Sequence, residues 1–151
     1  MMLGAVGKRV CGWGLALALS GVVGFGGHAR AQEMPQALAC SFNGGATWSY
    51  EAGNFKSKEP SPLSFGIGEI DLEKQSATLK TTPDAKAGKL SIVRAINANH
   101  FLEVVNEGFL NLTTVYDKDE STGKYPAVHS RHFGLLGQPV FGQYTGFCTA
   151  E

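Results

Sequence analysis

Two cysteines constrain this chain more than any other feature. Cys40 and Cys148 stand near the two ends of its polar portion, and the third cysteine, Cys11, lies in a leader-like N-terminus. That leader has a short basic start at Lys8 and Arg9, an apolar stretch from Val10 to Phe25, and the small-x-small pattern Ala29-Arg30-Ala31. This is the organisation of a secretory signal peptide. The expected arrangement is a signal over residues 1–31, cleaved after Ala31. A single β-rich domain over 32–151 would then begin at Gln32, in the periplasm or outside the cell.

Other readings of the leader fit less well. A membrane-spanning helix needs about 20 apolar residues, and Val10 to Phe25 is shorter and interrupted by four glycines. A lipid-modified cysteine should directly follow the apolar region. Cys11 lies inside it, and Cys40 sits well beyond Phe25.

Removal of the leader takes Cys11 with it and leaves an even pair. In an oxidising compartment the expectation is a Cys40–Cys148 disulfide that closes almost the whole domain into one loop. Removal also takes Lys8, Arg9 and Arg30, so the 13 basic residues fall to 10 against 13 acidic ones, a net charge near −3. A mildly acidic chain with no basic run is unsuited to nucleic acid or an anionic membrane surface. No stable membrane insertion is expected after cleavage, and 120 residues suit one domain with one core.

Past the leader, no long segment repeats apolar residues at helical spacing. Short β-favouring runs recur instead, separated by Gly, Asn, Asp and Pro. They are Ser64 to Leu72, Ala77 to Thr81, Leu90 to Ile96, His100 to Val105, Phe109 to Tyr116, Tyr125 to Phe133 and Val140 to Cys148. Within the first, the apolar parity flips between Phe65/Ile67 and Ile70/Leu72, which predicts a bulge or bend. Asn106-Glu107-Gly108 has the composition of a three-residue hairpin turn. Phe55 to Pro62, with its lysines and prolines, reads as an exposed loop. The predicted fold is all-β: an antiparallel meander of about seven or eight strands, curled into a barrel or half-barrel and latched by the terminal disulfide.

Chemistry-bearing residues are few. His129-Ser130-Arg131-His132 is the densest polar cluster. Strand alternation sends His129 and His132 to opposite faces, so they are unsuited to one metal. The same alternation puts Tyr125, His129 and Arg131 on one face, a cationic and aromatic patch suited to an anion. These three are the candidate ligand-binding residues. Ser130 is adjacent to two histidines in sequence but points away from them on a strand, and no Gly-x-Ser-x-Gly elbow is present. No catalytic residue is assigned.

Asp117 to Gly123 begins like a calcium loop but has Thr122 where glycine belongs and Val128 where a bidentate Glu belongs. It reads as a solvated hairpin loop. Asn111-Leu112-Thr113 has the glycosylation spacing but falls mid-strand. The glycines of Gly142 to Gly146 read as strand bends or points of close approach.

No cofactor or metal is called for. The function expected first is a non-catalytic binding or inhibitor module for an envelope protein, a glycan or a small anionic ligand. The alternatives are a small His-dependent enzyme and a structural cell-envelope component.

Overall fold

A computed structural model describes residues 33–82, 86–105, 109–135 and 137–151. The leader with its cleavage site and the Asn106-Glu107-Gly108 turn lie outside them. The described residues form nine strands and no helix. They are β1 (Leu38–Glu51), β2 (Asn54–Lys58), β3 (Leu63–Asp71), β4 (Ser76–Lys80), β5 (Gly88–Arg94), β6 (Ala98–Val105), β7 (Phe109–Tyr116), β8 (Tyr125–Leu135) and β9 (Gln138–Ala150). All belong to one antiparallel sheet in which β3 to β9 follow one another as a meander.

The sequence-based count of seven or eight becomes nine because of the first two strands. The Phe55 to Pro62 segment, read as a loop, contributes β2. β2 is exposed along its whole length and carries no alternating apolar pattern that could reveal it.

β1 decides the shape of the sheet. On one side it pairs with β9 from Leu38 to Ser49. On the other it pairs with β3 only from Leu38 to Phe42, then with β2 from Thr47 to Glu51. β2 and β3 are successive halves of one neighbour, interrupted by Glu59-Pro60-Ser61-Pro62. Proline lacks the N–H that a ladder requires, so pairing stops there. The hydrogen-bonded ring therefore closes at the Leu38–Phe42 end and opens at the other, short of a clear barrel.

Cys40 and Cys148 are opposite one another in the β1–β9 register and are joined by a disulfide. Both are buried. The bridge staples the first strand to the last at the closed end.

The expected bulge is present in β3. The β3–β4 register shifts between Gly68 and Asp71, and Glu69 takes a left-handed φ of 51°. The shift keeps Phe65, Ile67 and Ile70 all in the core despite their opposite parity.

β1 carries a second irregularity, between Phe42 and Gly44. Around it β1 and β9 approach so closely that side chains are excluded. A Cβ on Gly146 would meet the Ser41 carbonyl and stand 2.7 Å from Phe42 Cα. A Cβ on Gly45 would meet the Gln143 carbonyl and stand 2.9 Å from Tyr144 Cα. The close-approach reading of Gly146 thus holds. Gly146→Val should destabilise the domain by about 1–3 kcal/mol through strand displacement. An unchanged midpoint in chemical denaturation would contradict that geometry.

The core lies on the inner face of the curled sheet, centred on Leu38, Phe42, Ile67, Phe101 and Val115, all 1% exposed or less. In β7 the buried side chains are Thr113 and Val115, whereas Leu110 and Tyr116 on the opposite face are 41% and 44% exposed.

Candidate functional site

Antiparallel register stacks the inner face in layers. At the closed end, Tyr125, Cys148, Cys40 and Phe65 stand opposite one another on successive strands. The next layer holds Val115, Ala127, Gly146 and Phe42. A third crosses from Ile92 through Phe101, Thr113, His129 and Tyr144 to Gly45. The fourth is polar: Glu103, Asn111, Arg131, Gly142, Thr47 and Lys58. Toward the open rim Phe109 and Phe133 stack with centroids 5.5 Å apart, beside Val140 and Ser49.

Tyr125, His129 and Arg131 do share this inner face, but they fall in different layers and have different surroundings. Tyr125 is 8% exposed at the closed end, and His129 is 5% exposed. The His129 ring is enclosed by Phe65, Phe42 and Tyr144 at centroid distances of 5.0, 5.7 and 5.9 Å. Its Nδ1 shares a 2.9 Å hydrogen bond with the Thr113 hydroxyl.

Burial in this apolar cage, and secondarily the Arg131 charge, push the His129 pKa down to about 4. His129 is therefore neutral near pH 7. The cationic patch expected from the sequence therefore lacks a charge from His129. Arg131 alone of the three carries charge on this face.

Arg131 is partly exposed and lines a cleft of about 760 Å³ at the open end. The sheet contributes Thr47, Ser49, Phe133, Val140 and Tyr144 to its wall. β2 and the proline-containing link to β3 add the residues from Lys56 to Leu63. In β2, Lys56 and Lys58 stand opposite Ser49 and Thr47, so both belong to the inner face. Lys56 is neutralised by Glu51 at 3.0 Å, and its hydrogen bond holds the Glu51 carboxyl below the usual range. Glu103, two strands from Arg131, accepts a 2.7 Å hydrogen bond from Asn111 Nδ2. Glu59 also lines the cleft. Among the described residues, no ion pair within 4.0 Å joins Arg131 to any carboxylate.

The remaining polar motifs resolve into structural roles. His132 lies on the outer face and stacks on Phe141 at 6.3 Å, separated from His129 as alternation requires. Thr113, not Ser130, is the hydroxyl at His129. His100 makes the equivalent 2.9 Å contact with Thr114. Both Asp119 oxygens accept hydrogen bonds from its own loop: Oδ1 from Ser121 N and Oγ at 2.9 and 2.7 Å, Oδ2 from the Thr122 hydroxyl at 3.0 Å. That carboxylate organises a turn, and the Ser121 hydroxyl holds its pKa down. Among the described residues no cluster of His, Cys, Asp or Glu could hold a metal ion. Asn111, of the glycosylation-like triplet, is engaged with Glu103.

Sequence reasoning missed Thr47, Lys58, Phe133 and Tyr144 as cleft residues. They come from strands distant in sequence, and only register brings them together. It also missed an aromatic group on the outer face of β1, β2 and β9. There Trp48 stacks on Phe141 at 4.9 Å, and Phe55 meets Tyr50 and Phe141 edge-on at 5.0 and 5.7 Å. Trp48, Tyr50 and Phe141 are half-buried there, and Phe55 is 56% exposed.

Comparison with protein-family models, with curated proteins and with solved structures finds no match. The functional reading therefore rests on the geometry of this chain.

Proposed function

We propose that this chain is an exported, non-catalytic binding module that holds a small ligand in the cleft at the open end of its sheet, with Arg131 as the polar anchor. One observation carries the reading. Among the described residues the Arg131 guanidinium has no carboxylate partner, and it faces a cleft of about 760 Å³ whose lining combines apolar and hydroxyl side chains with Glu51, Lys56, Lys58 and Glu59. Ligand sites characteristically combine such a wall with a few convergent polar groups, at volumes of about 300–1,000 Å³. The arrangement favours binding over catalysis, because His129, the inner-face histidine among the described residues, is buried and bonded to Thr113.

A native mass spectrum of the domain isolated from producing cells tests the proposal. The expected result is a retained small molecule that is absent from Arg131→Ala of equal melting temperature. A bound metal ion would favour a His-dependent enzyme instead. An empty protein in both cases would favour a structural envelope component.

Export is the second half of the proposal, supported by the leader pattern and by a disulfide that forms in oxidising compartments. N-terminal sequencing of the exported protein should begin at Gln32. Membrane-associated protein retaining Met1 would overturn it.

A further inference from the structure

We infer that the ligand class of this cleft is an amphipathic carboxylate, its anionic head held between Arg131 and Lys58 and its apolar body laid along Phe133 and Val140. The inference rests on the proposed binding role and adds to it a second cation, a ligand charge and a direction of binding.

The cross-strand row supplies the two cations. Lys58 is opposite Thr47, Thr47 opposite Gly142, and Gly142 opposite Arg131. Lys58 and Arg131 thus stand at the same height, three strand spacings apart. At about 4.8 Å per spacing, the path between them along the sheet is roughly 14 Å, and the curl of the sheet brings them closer than that. Both are long side chains that line the same cleft, and one carboxylate could bridge them. The residue opposite Arg131 has no side chain, and a Cβ on it would lie 3.0 Å from Thr47 Cγ2 and 3.1 Å from Tyr144 Cε2. Gly142 therefore leaves room for the Thr47 methyl and the Tyr144 ring, which together form the floor between the cations.

Charge decides the sign of the ligand. Of the cations in the lining, Lys56 is compensated by Glu51. Lys58 and Arg131 form no ion pair within 4.0 Å among the described residues. The lining thus carries three cations, Lys56, Lys58 and Arg131, against two carboxylates, Glu51 and Glu59, while Glu103, bonded to Asn111, lies outside it. Arg131 also sits directly above the apolar cage of His129, where charge-assisted contacts are less screened than at the surface.

The apolar body follows from the next layer. Beyond the polar row the inner face continues as Phe133 and Val140, and Pro60 and Pro62 add further apolar surface to the lining. The lower layers are filled by core side chains, so the cleft offers no apolar depth beneath Arg131. A ligand must extend from its head toward the open rim.

The test is isothermal titration of the purified domain with sodium decanoate, matched against decan-1-ol. Decanoate should bind, and decan-1-ol should bind at least about tenfold more weakly. Arg131→Ala should lose about tenfold or more for decanoate, the usual scale for a charge-assisted contact. Lys58→Ala lies on an exposed strand, leaves the core untouched, and should lose several-fold. Arg131→Lys should fall between Arg131→Ala and the unaltered protein, because lysine keeps the charge and loses the planar fork. Equal binding of decanoate and decan-1-ol would overturn the inference, as would decanoate affinity unchanged in both alanine variants. Either result leaves the binding role to be judged by the retained molecule in the native mass spectrum. No binding of either probe overturns the amphipathic carboxylate itself.

Discussion

Cys148→Ser should lower the unfolding free energy by about 2–5 kcal/mol, the usual range for a native bridge in a small exported domain. The bridge closes a loop with a sequence separation of 108. On the chain-entropy account a loop of that length is worth about 4–5 kcal/mol, through restriction of the unfolded chain. The folded state adds a second cost. Both sulfurs are fully packed beside Leu38 and Phe65, so a serine hydroxyl there is buried. Reduction of the unaltered protein should give a loss of similar size without that polar penalty. Comparing the two by chemical denaturation separates the entropic part from the packing part. Equal stability of oxidised, reduced and Cys148→Ser protein would show that the bridge does not hold β1 to β9.

Acid should destabilise the domain between about pH 6.5 and pH 4, and His129 should be the cause. Its folded pKa is about 4 against about 6.5 for the unfolded chain. In that window the unfolded state binds the proton and the folded state does not, so stability falls as pH falls. The shift corresponds to roughly 3 kcal/mol, fully present above pH 6.5 and lost by the time His129 is protonated in the folded state. Glu51, Asp71 and Asp119 also have lowered pKa values, but their contributions fade at still lower pH. Denaturation of His129→Gln isolates the effect. The variant should be less stable at pH 7 and nearly flat between pH 6.5 and 5, where the unaltered protein slopes. Parallel slopes would place the pH sensitivity elsewhere. Arg131→Ala should raise the His129 pKa modestly, because the Arg131 charge is the second cause of its depression.

Those two groups also show how far the sequence could be read. The disulfide followed from cysteine count and compartment. The bulge near Gly68 followed from a parity flip, because side-chain direction is a local property. β7, β8 and β9 were legible for the same reason. β1 and β2 were not. Gly44, Gly45 and the bulge after Phe42 break the alternation of β1, and Asn54–Lys58 places polar residues on both faces of a short edge strand.

The candidate site divides along the same line. That Tyr125, His129 and Arg131 share a face was legible from alternation within one strand. That they occupy three different environments was not. His129 is neutral because Phe42, Phe65 and Tyr144 arrive from three other strands, and Arg131 is accessible because the ring fails to close beyond Phe42. Both facts depend on cross-strand register, which no local pattern encodes. The second cation, Lys58, depends on it three times, through β8 to β9, β9 to β1 and β1 to β2.

The claim on which the functional account turns is that ligands enter on the inner face at the open end, over Arg131. Backbone amide shifts of the isotopically labelled domain, followed during titration with decanoate, test it most directly. The expected shifts cluster on Thr47, Lys58, Arg131, Phe133, Val140 and Tyr144, and spare Cys40, Tyr125 and Cys148 at the closed end. Shifts confined to the outer face, over Trp48, Phe55 and Phe141 or around Tyr116 and Phe147, would contradict the account.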